Sequence, residues 1–165
     1  MSKLCRTMVL MLAVVASLSG CAQPPRYDEV AGTLAPVAPN LARIYAYRGP
    51  GVYEGLAWVP ILINGAQAGA VGPGQVIMRD VPPGTYIIAA ATQGLYPGQD
   101  KVVPLAPGQT VYMKVTTIRG LNPSSTRTQP QNTYVIVIVD PEVARQEIQG
   151  LALSSENRTG GKPSG

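Results

Sequence analysis

Residues 58–71 have the sequence WVPILINGAQAGAV, and this stretch decides the predicted fold. Two runs of mostly apolar residues flank the dipeptide Asn64-Gly65. Both central residues of a type I′ turn have positive φ, which Asn and Gly tolerate best, so Asn-Gly between apolar runs indicates a β-hairpin. The stretch therefore predicts two short antiparallel strands.

Strand patterns continue on both sides of this hairpin, in residues 43–48 (RIYAYR), 85–91 (TYIIAAA), 110–117 (TVYMKVTT) and 133–139 (TYVIVIV). The last segment is apolar at both parities, which predicts a central strand covered on both sides. Pro-Gly turns precede several of the strands, because proline presets φ and glycine accepts positive φ. Short strands with tight turns predict an all-β fold, a small antiparallel β-sandwich over residues 41–153.

A short C-terminal helix is predicted after the last strand. Asp140 can cap the helix, Pro141 suits its first position, and Glu142 favours its positive end. Residues 144, 148 and 151 are apolar at helical spacing. Residues 154–165 are polar and glycine-rich, and are expected to be a disordered tail.

The N-terminus has the pattern of a secretory signal peptide over residues 1–20. Lys3 and Arg6 precede an uncharged, mostly apolar run at residues 7–18, which is shorter than the about 20 apolar residues that a membrane span needs. The alternative is a short buried helix of a cytosolic domain. A basic start followed by an apolar run and small residues favours the signal peptide.

Leu18-Ser19-Gly20-Cys21 resembles the lipobox of bacterial lipoproteins. The resemblance implies cleavage before Cys21, lipid on its sulfur and a membrane anchor. Ala22, where Asp would resemble an inner-membrane retention signal, implies the periplasmic face of the outer membrane. The alternative is ordinary secretion, with cleavage after Ala22. Residues 21–40 are proline-rich and are predicted to be a tether that could reach about 60 Å.

Charge and composition exclude several classes of function. Loss of Lys3 and Arg6 lowers the basic residues from 13 to 11 against 9 acidic ones, without a Lys/Arg cluster, so we expect no nucleic-acid partner. The chain has no His, and Cys21 would be the mature protein's sole thiol. We therefore expect no metal, no cofactor and no enzymatic activity. The acidic residues in the domain that could serve acid–base chemistry are Glu54, Asp80 and Asp100, and we expect Asp80 and Asp100 at turns or strand ends.

Residues 41–153 resemble the DUF2846-type bacterial lipoprotein domain. The matching segments are ARIYAYR, PILINGAQAGAV, VPPGTYIIAA and APGQTVYMKV. The PPGTY element also resembles turns of PEGA-like and carboxypeptidase-regulatory-like β-sandwiches. The resemblance implies a small β-sandwich of unknown biochemical role and assigns no catalytic or ligand residue. Residues 122–132 depart from the family pattern.

The two longest predicted connections, residues 49–58 and 119–132, carry the candidate contact residues. These are Tyr53 and Trp58 in the first and Arg119 and Arg127 in the second, since aromatic and arginine side chains dominate binding hot spots. In the alternative, Trp58 fills one end of the core. The sequence thus predicts an envelope lipoprotein that binds a protein or assembles with itself, or alternatively binds glycan such as peptidoglycan.

Overall fold

The computed structural model describes residues 23–51, 56–91, 100–121 and 130–154, with the backbone alone at 119–121 and 130–132. Two short helices, α1 (Tyr27–Val30) and α2 (Pro141–Ile148), flank the strands, and a 3₁₀ turn (Ala31–Thr33) follows α1. The strands are β1 (Ala42–Arg48), β2 (Val59–Ile63), β3 (Ala66–Val71), β4 (Gln75–Val81), β5 (Gly84–Ala90), β6 (Lys101–Leu105), β7 (Thr110–Leu121), β8 (Pro130–Val139) and β9 (Ala152–Leu153).

The strands form two sheets, which confirms the predicted β-sandwich with a short C-terminal helix. The five-stranded sheet has the order β8-β7-β1-β4-β9, and the four-stranded sheet has the order β3-β2-β5-β6. Most neighbouring strands are antiparallel, but β1 is parallel to β7 and β4 is parallel to β9. Both parallel pairs lie in the five-stranded sheet.

The predicted β2–β3 hairpin is present with the expected turn chemistry. Asn64 has φ 51° and Gly65 has φ 80°, as a type I′ turn requires. Asn64 also accepts a hydrogen bond from the Ile87 amide through Oδ1 at 2.9 Å. The turn therefore ties β2 both to β3 and to β5.

Every second residue of each strand points into the core between the two sheets. The β1 side chains Ile44 and Ala46 face Ile61 and Ile88 of the other sheet in a cluster of fully or nearly buried residues. Alternation along a strand directs the intervening residues to the outer faces. These intervening residues form the two outer faces of the sandwich, and the sheets differ in how far those faces are buried.

The outer face of the five-stranded sheet is a second buried layer. Tyr45, Tyr47 and Tyr112 lie there, 4%, 0% and 6% exposed, and the rings of Tyr45 and Tyr112 stack with centroids 4.9 Å apart. Helix α2 covers them with Ala144 and Ile148. The Asp140 side chain caps the helix by accepting from the Glu142 amide at 2.8 Å, which confirms the predicted helix start.

The N-terminal segment completes this layer, so the predicted tether of residues 21–40 differs from the structure. Pro25 and Tyr27 pair with the C-terminal segment: the Leu153 amide donates to the Pro25 carbonyl at 2.8 Å, and the Tyr27 amide donates to the Leu151 carbonyl at 2.7 Å. Tyr27, Val30 and Leu34 pack on the tyrosine layer. These apolar side chains recur among the prolines and glycines of the segment, and their burial outweighs its extended tendency.

The prediction that residues 133–139 form a central covered strand was wrong. β8 is the end strand of its sheet, and Val137 and Ile138 are 45% and 49% exposed. β4 and β6 were not among the predicted strands. In β4 the charged dipeptide Arg79-Asp80 interrupts the apolar pattern. β6 contains Pro104, which has no backbone N–H; an edge strand tolerates proline because the backbone on its free side makes no hydrogen bonds to a neighbouring strand.

Candidate functional surface

The predicted contact residues fall unevenly on the described part of the chain. Four residues named from the sequence lie outside the described ones: Cys21, Tyr53, Glu54 and Arg127. The predicted signal peptide lies outside them as well. Residue Arg119 belongs to β7, in register with Asn132 of β8. The second connection is accordingly shorter than predicted, because β7 continues to Leu121 and β8 begins at Pro130. In the predicted tail, Ser154 is buried and donates from its amide to Val76, and residues 155–165 lie outside the described ones.

Trp58 lies on the surface, so the alternative in which it fills the core is wrong. Its side chain is 58% exposed and the neighbouring Leu56 is 84% exposed. The indole rests against the β3–β4 turn: a methyl group at Gly72 would lie 3.3 Å from Cε2 of Trp58. Only glycine fits under the ring without a shift, so Gly72 helps to hold the exposed indole in place.

Arg48 fixes the chain immediately before Trp58. It is the last residue of β1, it is fully buried, and its Nη1 donates to the Ala57 carbonyl at 2.6 Å. The guanidinium lies over the ring of Tyr134, 4.7 Å from the centroid, an arrangement that attracts a cation. Arg48 therefore closes this end of the core, the role that one interpretation of the sequence gave to Trp58.

The strand ends around Trp58 belong to one end of the sandwich. β1 ends and β2 begins there, and because β7 runs parallel to β1, β7 also ends and β8 begins toward that end. The two connections that carried the predicted contact residues therefore start from the same end of the domain. The pairing of β1 with β7 thus shows that both connections start at one end of the domain, which could not be inferred from the sequence.

An apolar strand edge is the second exposed feature. Along β8, Val137 and Ile138 are nearly half exposed, and Ile118 on β7 is 43% exposed. β8 has one partner among the described strands, β7, and no other described strand pairs with its free edge. Open edges of apolar strands are templates for pairing with another chain.

The outer face of the four-stranded sheet is the third feature. Val59, Ile61, Ile88, Val103 and Leu105 point into the core, so the alternating positions between them point outward. These outward residues are Pro60, Leu62, Gln67, Ala70, Thr85, Ile87, Ala89, Val102 and Pro104. None of them is charged, and Ile87 and Val102, which are direct cross-strand partners, are 50% and 66% exposed.

Sequence analysis missed this face, although a sequence signal for it exists. In TYIIAAA and KVVPL, the positions between the core residues are also apolar. A sheet with one wet face normally places polar residues there. Apolar residues at both parities indicate a strand with two covered faces, whether the second cover is the same chain or a partner.

A polar cluster locks α2 onto the sheet. Tyr47 donates to one carboxylate oxygen of Glu147 at 2.5 Å, and Lys114 donates to the other at 2.7 Å. Burial raises the pKa of Glu147, but the hydrogen bonds from Lys114 and Tyr47 and the charge of Lys114 lower it further, so its net pKa is below the ordinary value. Burial and the bond to Glu147 raise the pKa of Tyr47.

The acidic residue Asp80 is committed to an ion pair. Its carboxylate receives two hydrogen bonds from Arg43, from Nε at 2.6 Å and from Nη2 at 2.7 Å. Arg43 also donates to the Ala35 carbonyl at 2.9 Å, which ties the N-terminal segment to β1. The hydrogen bonds to Asp80 raise the pKa of Arg43 although its burial lowers it. Asp80 thus has a structural partner, and Asp100 is exposed just before β6.

Two further kinds of feature are absent from the described residues. No group of three or more His, Cys, Asp or Glu within them could hold a metal ion. No helix in the same part of the chain is long and apolar enough to span a membrane.

Comparisons of the chain with protein-family models, with curated proteins and with solved structures found no match. Function is therefore inferred from the chain itself: its N-terminal sequence, its exposed tryptophan, its apolar edge strand and its uncharged sheet face.

Proposed function

We propose that this protein is an exported lipoprotein whose β-sandwich is a non-enzymatic protein-binding or assembly module of the cell envelope. Lipid on Cys21 anchors it, and Ala22 favours the periplasmic face of the outer membrane. The resemblance to DUF2846-type domains supports the same proposal, since that family is tied to lipoprotein signals.

The observation that carries the binding role is the exposed apolar edge of β8. Residues 133–139 have the composition of a strand covered on both sides, yet Val137 and Ile138 are nearly half exposed. A strand from a protein partner, or from a second copy, would pair with the open backbone and cover these side chains.

Intact mass of the membrane-fraction protein tests the anchor. We expect the mass of a chain that begins at Cys21 and carries lipid, and we expect Cys21→Ser to accumulate as unprocessed precursor. The mass of an unmodified chain beginning at Gln23 would contradict the anchor and support ordinary secretion.

Site-specific photo-crosslinking in cells tests the binding edge. A photoreactive residue in place of Ile138 should form one discrete adduct, identified by mass spectrometry as a protein partner or a second copy. The matched control is position 143 on α2, because Val143 has almost the same exposure, 50% against 49% for Ile138. Equal adducts at both positions, or none at 138, would contradict a partner at β8.

Glycan binding is the second candidate, and the exposed indole of Trp58 favours it. An aromatic ring fixed on the surface can stack on the apolar face of a sugar. Sedimentation of the protein with purified sacculi separates the candidates: binding that Trp58→Ala abolishes would favour the glycan function. Binding that is absent, or that Trp58→Ala does not change, would favour the protein partner.

A further inference from the structure

We infer that the outer face of the four-stranded sheet lies against the lipid surface that holds Cys21, with Trp58 at the level of the headgroups. This inference rests on the proposed lipid anchor and names a second contact of the anchored domain. It assigns Trp58 to the membrane and leaves the β8 edge to the protein partner.

The composition of the face suits a lipid surface. Its outward positions on β2, β3, β5 and β6 carry no charged residue, and Gln67 and Thr85 are its polar ones. Contact with the headgroup region would therefore remove Ile87 and Val102 from water without desolvating a charge. The opposite outer face cannot serve, because α2 and the N-terminal segment already cover it.

The position of the anchor brings this face within reach of the bilayer. Pro25 pairs on the outer side of β9, which is the end strand of the five-stranded sheet. From Pro25 to Cys21 the chain can extend at most about 14 Å. Packed sheets lie about 10 Å apart, so the link is long enough for Cys21 to pass the level of the four-stranded sheet, and too short to hold the domain far from the membrane.

The N-terminal segment lies beside β9, at the edge of the sandwich that contact between the uncharged face and the membrane requires. β3, the end strand of the four-stranded sheet, packs against β4, the neighbour of β9. Pro25, four residues after Cys21, therefore lies on the side of the sandwich where β3 forms the edge of the uncharged face. β8 lies at the opposite end of the five-stranded sheet, where the membrane would leave it accessible to a partner.

Trp58 lies where an interfacial residue is expected. It directly precedes β2, and its ring rests against Gly72 in the β3–β4 turn, at one end of the four-stranded sheet. Tryptophan is enriched at the boundary between headgroups and hydrocarbon because its ring is apolar and its indole N–H needs a polar partner. Exposed Leu56, two residues earlier, adds apolar surface at the same point.

Fluorescence of the lipidated full-length protein tests the inference, because Trp58 is the chain's one tryptophan. The protein is reconstituted in vesicles of phosphatidylethanolamine and phosphatidylglycerol whose acyl chains are brominated near the headgroup. We expect the Trp58 emission to be shifted to the blue relative to the unlipidated protein in solution, and its intensity to be lower than in vesicles without bromine. Flotation of the same vesicles reports separately whether the protein is anchored.

Two matched variants assign the effect to the face. Ile87→Glu places a charge on the uncharged face, and Val143→Glu places one on α2; both side chains are 50% exposed. Ile87→Glu should abolish the quenching without changing flotation, and Val143→Glu should change neither. Circular dichroism of both variants confirms that they are folded.

The remaining outcomes are also decisive. Protein that floats with the vesicles but shows unquenched Trp58 emission would overturn the inference and leave the anchor standing. Protein that does not float would overturn the anchor and, with it, the inference. Disulfide cross-linking between Val102→Cys copies on the vesicles, without quenching, would overturn the inference in favour of a second copy on this face.

Discussion

The two outer faces of the sandwich both carry apolar side chains, but among the described residues only the outer face of the five-stranded sheet is covered by other parts of the chain. On the five-stranded sheet, Tyr45 and Tyr47 are buried under α2 and the N-terminal segment. On the four-stranded sheet, Ile87 and Val102 are half exposed or more. Burial in this protein therefore follows the path of the termini and not the charge of the face, because the covered face carries Arg43, Asp80 and Lys114 whereas the outward positions of the other carry no charged residue.

A pair of identical substitutions tests this contrast with the largest expected effect. Ile148→Ala removes a fully buried side chain from the covered face, and we expect a loss of about 2–5 kcal/mol in the free energy of unfolding. Ile87→Ala, on the uncovered face, should change it by less than about 0.5 kcal/mol. Urea unfolding of both unlipidated variants measures the difference. Equal losses would show that the faces are equally buried in solution.

Weakening the attachment of the N-terminal segment to β1 should lower the unfolding free energy by less than Ile148→Ala does. Asp80→Ala would leave the nearly buried Arg43 without its carboxylate partner and weaken its grip on the Ala35 carbonyl. We expect a loss of about 1–3 kcal/mol in unfolding free energy. Asp100→Ala is the control at an exposed position. Proteolysis within residues 25–34 should also become faster in Asp80→Ala, and an unchanged rate would contradict the role of Arg43 as a tie.

Alkaline pH should destabilise the covered face by a smaller, graded amount. Burial raises the pKa of both Tyr27 and Tyr47, and hydrogen bonds to Tyr45 and Glu147 respectively raise them further. Above about pH 10 the unfolded chain loses these phenolic protons while the folded chain retains them, so stability falls as pH rises. Thermal unfolding from pH 8 to 11 measures the slope, which the Tyr27→Phe/Tyr47→Phe double variant should reduce. An unchanged slope would rule out these phenols as its source.

The sequence predicted the features that depend on local chemistry. The Asn64-Gly65 turn and the Asp140 cap were both confirmed, since each needs only neighbouring residues. The position of a strand within its sheet was not predictable in this way. Residues 133–139 are composed like a central strand and lie at an edge, because composition reports which residues are apolar without reporting which strands pair with them.

The candidate surfaces also depend on contacts between residues that are distant in the sequence, which a local pattern does not predict. That Trp58 lies outside the core depends on Arg48, ten residues earlier, which closes that end of the core over Tyr134. No local pattern indicates that an arginine would replace a tryptophan there. The N-terminal pairing with Leu151 and Leu153 is equally non-local, so the sequence predicted an extended tether where residues 25–34 pair and pack with the domain.

Hydroxyl-radical footprinting of the lipidated protein on vesicles, compared with the unlipidated protein in solution, tests the central contrast most directly. We expect oxidation of Trp58, Ile87 and Val102 to be lower on the vesicles, and oxidation of Val143 on α2 to be unchanged. Oxidation of Trp58, Ile87 and Val102 that stays at its solution level on vesicle-anchored protein would contradict the account, because the apolar face would then be uncovered at the membrane as well.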